Sequence, residues 1–437
     1  MINFATNLFA FILVLGFLIF AHEAGHFLFA KLFRVRVLVF SFGFGKRLFG
    51  FKRGDTDYRV SLIPLGGYVR MAGDTPEETT ESDPNEFLSR PKWQRFLILV
   101  AGPGVNLVIA IAFLAWMNMA GVLVPRDSRP ILGSVLPGRP AAAAGLREGD
   151  LITEANGDEI RSFEDLRLVI GTSPGQPVRL KFMRQGQPQE VTVTPQRQET
   201  EFGAAGVIGV TPFAEPEVGQ VLPASSAGRA GLQSGDRITS ANGQKVAQLL
   251  DLEKLLSETP SKPINLELMR GGKLVATTLQ PQQAGDQVYP GFGTPTVVRK
   301  FGPVAAVRES VNQNMKMVKY TLSTLGRLFQ AKGSVKDFSG PISIARISGD
   351  MLRTGWKQVI SLMAMISLQL GIMNLMPIPV LDGGHIFILL LEGLFRREFS
   401  LRVKERIQQV GFAALATLML VVLYNDVLQN VMRLRNG

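Results

Sequence analysis

The chain has 437 residues and a formal net charge of +11, with 46% hydrophobic and only 19% charged side chains. Soluble domains carry roughly a quarter charged residues, so this balance excludes a disordered chain, a collagen-like repeat and an ordinary soluble enzyme. There is no cysteine and there are three histidines, which excludes disulfide frameworks, thiolate zinc sites and thiol nucleophiles and confines histidine chemistry to His22, His26 and His385.

The first element is apolar. Residues 1–21 carry no charged side chain, and as far as Ala30 the only acid or base is Glu23. About 20 apolar residues in a helix cross a hydrocarbon core. The first Lys or Arg is Lys31, so the basic start of a signal peptide is missing, as is a clear small-x-small cleavage site. A retained membrane helix is expected. It contains His22-Glu23-Ala24-Gly25-His26. Two imidazoles four residues apart share one helical face and reach a single metal ion, with Glu23 where a zincin keeps its general base. A buried polar cluster with no ligand is costly inside a bilayer, so a metal site is the better reading.

Residues 31–95 follow, with twelve Lys/Arg. Within them Tyr58–Met71 reads as a hairpin around Leu65-Gly66-Gly67. The second apolar element, Phe96–Val124, is an uncharged run of 29 residues. It holds Ala101-Gly102-Pro103-Gly104-Val105-Asn106, read here as a Pro/Gly kink serving packing before chemistry.

The next region is duplicated. Residues 133–160 and 219–246 are identical at fifteen of 28 positions at a constant offset of 86, and the register runs on through Arg184 and Arg270. Each copy offers a short helix, a Gly-Asp turn, a strand and an Asn-Gly hairpin, at Asn156-Gly157 and Asn242-Gly243. The pattern resembles tandem PDZ domains of the bacterial protease-associated kind. Gly206-Val207-Ile208-Gly209 looks like a carboxylate-binding loop whose neighbouring strand edge pairs with a peptide. A spacer or size filter that binds nothing is an equal reading. After the repeats, Val298–Gln330 carries apolar residues at helical spacing, expected as an amphipathic helix on the membrane surface or beneath the PDZ pair.

Two further apolar elements close the chain, Val359–Leu381 with 23 residues and Ile407–Asn425 with 19. The third runs into Asn374-Leu375-Met376-Pro377-Ile378-Pro379-Val380-Leu381-Asp382-Gly383-Gly384-His385. Pro377 and Pro379 cannot continue a helix, so the chain should open there and restart near Asp382. Broken backbone at membrane depth needs protein or a water-filled cavity around it. Asp382 and His385 are thus both candidates for a third metal ligand.

Charge orients the whole. The twelve Lys/Arg of 31–95 and five more in 392–406 make both loops cytoplasmic by the positive-inside rule. Both termini and the PDZ pair are then extracytoplasmic, in a multi-pass membrane protein. The lipid bilayer accounts for the positive charge without any nucleic acid.

Taken together, HEAGH in a first membrane helix, NLMPIPVLDGG in a late one and tandem PDZ domains between them resemble the site-2 protease family. That resemblance implies one zinc ion held by His22, His26 and Asp382, with Glu23 as general base and His385 in a supporting role. It implies that Asn374, Pro377 and Pro379 hold an unwound substrate, and that a sheet near Gly66 and Gly67 dips into the membrane to offer its edge. It further implies that the helix after the PDZ pair, with Phe338-Ser339-Gly340-Pro341 beyond it, gates access, a simple connector being an equal reading. The expected activity is cleavage of a transmembrane segment in a single-pass membrane protein already trimmed outside, an anti-sigma factor above all. The competing expectation is an inactive membrane scaffold working through its PDZ pair.

The expected fold is thus a polytopic α-helical membrane protein of four transmembrane helices, with two α+β PDZ-like domains and a small membrane-associated β hairpin. The expected divisions are 1–124, 125–214, 215–297, a connector 298–358, and 359–437.

Overall fold

The computed structural model describes residues 2–74, 83–200, 203–221, 225–260, 262–284, 287–329 and 340–436. The chain forms two compact units, Gly121–Lys300 and the remainder on either side of it.

The flanking unit begins with α1 (Ile2–Leu32), two long strands β1 (Val37–Arg53) and β2 (Thr56–Met71), and α2 (Lys92–Ala120). The strands are more than a simple hairpin. Val39–Phe42 stand opposite Arg70–Gly67 and also opposite Asp57–Val60, while Phe49–Arg53 stand opposite Val60–Thr56. Each strand therefore folds once, giving four short rungs. Phe20 and Phe27 of α1 pack on Phe40, with ring centroids 5.2 and 4.7 Å apart. At the sheet's base Lys31 Nζ donates to Thr56 Oγ1 at 2.8 Å. Farther along, a Cβ on Gly16 would touch Pro64 and Phe42. Lys31 to Gly16 is about 22 Å of helix at 1.5 Å per residue, so the sheet runs deep along α1.

Unit Gly121–Lys300 comprises β3 (Val122–Pro125), β4 (Leu132–Val135), α3 (Pro140–Ala143), β5 (Leu151–Ala155), β6 (Asp158–Glu159), α4 (Phe163–Gly171), β7 (Val178–Arg184), β8 (Gln187–Val193), β9 (Gln196–Thr200), β10 (Gly203–Val207) and β11 (Val210–Pro212). The second copy follows with α5 (Ser226–Arg229), β12 (Arg237–Ala241), β13 (Gln244–Lys245), α6 (Leu249–Glu258), β14 (Ile264–Arg270), β15 (Lys273–Leu279), β16 (Gln282–Ala284), β17 (Gln287–Tyr289) and β18 (Thr296–Arg299). The two four-stranded sheets have the same order, β6-β5-β7-β8 and β13-β12-β14-β15. Asn156 and Asn242 have φ of 52° and 49°, each followed by a positive-φ glycine, the conformation that the two-residue Asn-Gly hairpin requires. Buried Asp150 and Asp236 take paired bonds from Arg184 and Arg270 at 2.6–2.8 Å. β3 pairs with β18, so the entering and leaving strands close the unit. The apolar stretch that reads as membrane helix to Val124 ends as helix at Ala120, because Gly121 (φ 102°) terminates it and the Val-rich residues beyond suit a strand.

The chain returns with α7 (Pro303–Phe329), α8 (Pro341–Thr354), α9 (Trp356–Leu375), α10 (Asp382–Leu394) and α11 (Leu401–Asn436). Among the described residues, four helices are long and apolar enough to cross a membrane: 4–32, 92–120, 356–375 and 402–428. Val14 and Leu18 of α1 pack on Val359 and Met363 of α9, and Ala110 of α2 packs on Leu368 and Ile372. The helix expected on the membrane surface or beneath the PDZ pair is amphipathic, and it packs on helices of its own unit. α7 runs against α2 and α9, with Met317 and Val318 packed beside Ala110 and Thr321 Oγ1 bonded to Gln369. Ala306, Ser310, Asn314, Thr321 and Leu325 recur at steps of four and seven residues and are buried, which gives α7 a packing face of mostly small and polar residues. Phe338 and Ser339 lie outside the described residues. α8, which begins at Pro341, takes its N-terminal partner from far away: Ile342 N donates to Asp426 of α11 at 2.8 Å and Ser343 Oγ at 2.5 Å.

Candidate metal centre

The centre is built by three helices. α1 supplies His22 and His26, spaced so that both point to one side, and their Nε2 atoms are 3.1 Å apart. α2 crosses α1 at Gly25, where a Cβ would lie 2.5 Å from the carbonyl oxygen of Ala101. Glycine is thus the residue that lets the two helices touch. The contact continues on the other side. A Cβ on Gly102 would fall 2.2 Å from His26 Nε2 and 2.8 Å from His22 Nε2.

The third helix is made by interruption. α9 stops at Leu375, and Met376, ahead of Pro377, is extended, as a residue before proline should be. Val380 has φ of 86°, a costly conformation for a β-branched side chain. Gly383 and Gly384 pack without side chains against the carbonyl oxygens of Met376 and Ile378. The helix restarts at Asp382, where the sequence places it. Asp382 Oδ2 lies 3.0 Å from His22 Nε2, and Oδ1 3.5 Å from His26 Nε2.

Among the described residues His22, His26 and Asp382 form the metal-competent group, their ligating atoms all within 4.8 Å. His385, the other third-ligand candidate, stands outside it. Tautomers explain why the trio suits a cation. His26 Nδ1 donates to the Ile98 carbonyl at 2.8 Å, which leaves a lone pair on Nε2. His22 Nδ1 faces the Asn106 amide at 3.2 Å with nitrogen drawn toward nitrogen, and Asn106 Oδ1 is buried without a partner. Exchanging the two amide ends, as the hydrogen-bond network requires, lets His22 Nδ1–H donate to Asn106 Oδ1. Both Nε2 lone pairs then converge with a carboxylate and need a cation between them. A tetrahedron with bonds of about 2.0–2.1 Å has edges of about 3.3 Å. The separations of 3.0, 3.1 and 3.5 Å match it. The donor set of two imidazoles and one carboxylate is a catalytic-type zinc set with a position left for water.

Glu23 follows His22 and turns to the folded sheet. Its Cγ lies 3.6 Å from where a Gly67 Cβ would stand, and its carboxylate takes a bond from the Val69 backbone. Gly66, at φ 128°, is hemmed by Phe44 and Ile19. The two glycines therefore bring sheet backbone to the carboxylate's side. Asn374 is half-buried near the end of α9, Pro377 is exposed, and Pro379 abuts Gly411 of α11, where a Cβ would lie 2.2 Å from the proline.

The Gly206–Gly209 loop belongs to the first repeat, where Ile208 is 2% exposed in the core and Val210 pairs with Val135. Its carbonyls at Ile208 and Gly209 accept from Ala141 and Leu136. Packing was expected before chemistry at Ala101–Asn106, and Ala101 and Pro103 do pack closely on Gly25 and Gly371. Gly102 and Asn106 both touch the imidazoles.

Comparison with known proteins bears on what such a centre does. The family model described as Peptidase family M50 matches residues 10–418. The regulator of sigma-E protease RseP of Salmonella typhimurium is 34% identical, covering 98% of this chain and 99% of its own length. The protein of that name in Escherichia coli is 34% identical over the same shares. A Neisseria meningitidis relative, 32% identical over 96% of this chain and 98% of its own, is provisionally named a zinc metalloprotease. Among solved structures, a PDZ domain from Listeria monocytogenes is 27% identical and covers 20% of this chain and 90% of its own, at a TM-score of 0.17.

Proposed function

The chain belongs to peptidase family M50, and from that premise we propose that it is an intramembrane zinc metalloprotease that cuts a transmembrane segment of a single-pass membrane protein. The observation that carries the proposal is the meeting of His22 and His26, inside a helix long and apolar enough to cross a bilayer, with Asp382 from the opposite end of the chain. Zinc, when bound by these three residues, supplies Lewis acidity toward a peptide carbonyl and toward water.

The rest falls to the chain's own groups. Glu23, beside His22, takes a proton from water onto its carboxylate and returns it to the leaving nitrogen. A helical substrate hides its carbonyls in its own hydrogen bonds, so it must be drawn out before attack. The Gly66–Gly67 backbone beside Glu23 is placed to pair with an extended strand. Asn374, Pro377 and Pro379, in and beyond the last turn of α9, hold the opposite side, with the Asn374 amide available to the peptide backbone.

Two of the relatives are named for regulation of sigma-E, and the substrate proposed here is an anti-sigma factor, trimmed outside beforehand. Lys/Arg placement favours both termini and the PDZ pair outside and the metal centre toward the cytoplasmic half. The PDZ pair, with the loop at Gly206–Gly209, then filters or holds what approaches.

The test compares wild type with Glu23→Gln on a single-pass reporter, with its outer domain present or removed. The variant should keep its zinc and lose cleavage by at least about a hundredfold, the usual worth of a positioned general base. Full activity in the variant would remove Glu23 from the reaction.

A further inference from the structure

Between the first half of α1 and the folded sheet lies a cavity of about 630 Å³. That is within the range of roughly 300–1,000 Å³ of small-molecule sites. Phe9, Leu13 and Phe17 wall it on the helix side, and Phe42, Phe49 and Phe51 on the sheet side. The concavity is not closed by the protein: Phe9, Phe49 and Phe51 remain 61–64% exposed. Its one charged wall residue is Arg59. The Arg59 guanidinium lies 5.4 Å from the centre of the Tyr68 ring, its Nε has no hydrogen-bond partner, and Asp57 is 3.8 Å away. Residues 37–71 hold six cations, Lys46, Arg47, Lys52, Arg53, Arg59 and Arg70, against Asp55 and Asp57, a local balance of +4.

We propose that this cavity is a site for one anionic glycerophospholipid, its acyl chain between α1 and the sheet and its phosphate at Arg59. Charge complementarity selects this occupant. A protein helix is a rod about 10–12 Å across and brings no phosphate to Arg59, while a second copy of this chain would set the same surplus cations against each other. A phospholipid supplies the apolar tail and the phosphate in one molecule. The site also touches the machinery. Phe42 of its wall stands opposite Gly67, whose backbone lies beside Glu23, so a filled cavity supports the rung nearest the carboxylate.

The inference takes from the proposed function only that this part of the chain sits in a bilayer, and its test reads lipid rather than cleavage. Purified full-length protein would be mixed with phosphatidylglycerol or phosphatidylcholine bearing a photoreactive acyl chain. Phosphatidylglycerol should label 9–20 and 49–60 about fivefold more than phosphatidylcholine, the factor expected of one cation at an anionic headgroup. Leu13→Trp, which fills the cavity, should lower labelling by both lipids, and Arg59→Gln should remove the preference. For variants that do not fold, Phe49→Trp in the opposite wall should be quenched by a brominated-chain phosphatidylglycerol. Equal labelling by the two lipids, labelling indifferent to Leu13→Trp, or displacement of lipid by a single-pass helix peptide would overturn the proposal.

Discussion

Two glycines decide whether the imidazoles meet anything. Gly25 admits α2, and Gly102 leaves the volume into which both Nε2 atoms point. Gly102→Ala puts a methyl 2.2 Å from His26 Nε2. It should abolish zinc retention in purified protein while leaving helix content unchanged by circular dichroism, and near-stoichiometric zinc would show that α2 can retreat. Asn106 works through His22 instead of touching substrate. Asn106→Leu removes the acceptor for Nδ1–H and should weaken zinc binding about 10–100-fold, the usual loss for such a partner. Competition with a chelator measures it. His22, Glu23 and His26 were legible in the sequence because HExxH fixes its geometry within one helix. Gly102 and Asn106 were not, since their contact with α1 is set by how two helices cross, which no spacing within a single helix specifies.

Among the elements, the broken segment was the most readable. Two prolines and two glycines around Asp382 state both where the helix must stop and where it can restart, and α10 begins at that aspartate. Less was legible for the strands. The hairpin expected at Tyr58–Met71 around Leu65-Gly66-Gly67 does not form: its two halves, Tyr58–Val60 and Gly67–Arg70, each pair with Val39–Phe42 and not with each other, because the partner strand lies dozens of residues earlier. α8 was unreadable as well, because the side chain that caps it, Asp426, comes from α11 more than eighty residues later. Asp426→Ala should cost about 1 kcal/mol, the typical worth of an N-terminal cap. Hydrogen exchange should then speed about fivefold over the first turn of α8; unchanged protection there would mean the cap is redundant.

At the scale of the whole molecule, the duplication shows that one sequence pattern builds one fold twice, down to the Asp150–Arg184 and Asp236–Arg270 pairs at the same offset. Burial alone would push the Asp236 carboxyl up, yet Arg270 and the Gln233 backbone hold it below the ordinary carboxylate value. A carboxyl lowered in the folded state stabilises above its unfolded value, near 3.9, and loses that contribution as pH falls through the lower folded value. Exchange protection in β12 and β14 should therefore hold from neutral pH to about 4 and decline below it, and Asp236→Asn should be weaker at neutral pH with less acid dependence. The metal centre makes the larger statement, since it joins residue 22 to residue 382 across that inserted unit. Its most direct test is the zinc content of purified wild type, Asp382→Asn and His385→Gln. Wild type and His385→Gln should each hold about one zinc per chain, the stoichiometry of a three-ligand catalytic site, and Asp382→Asn should hold little. Full zinc in Asp382→Asn, with loss in His385→Gln, would contradict the assignment.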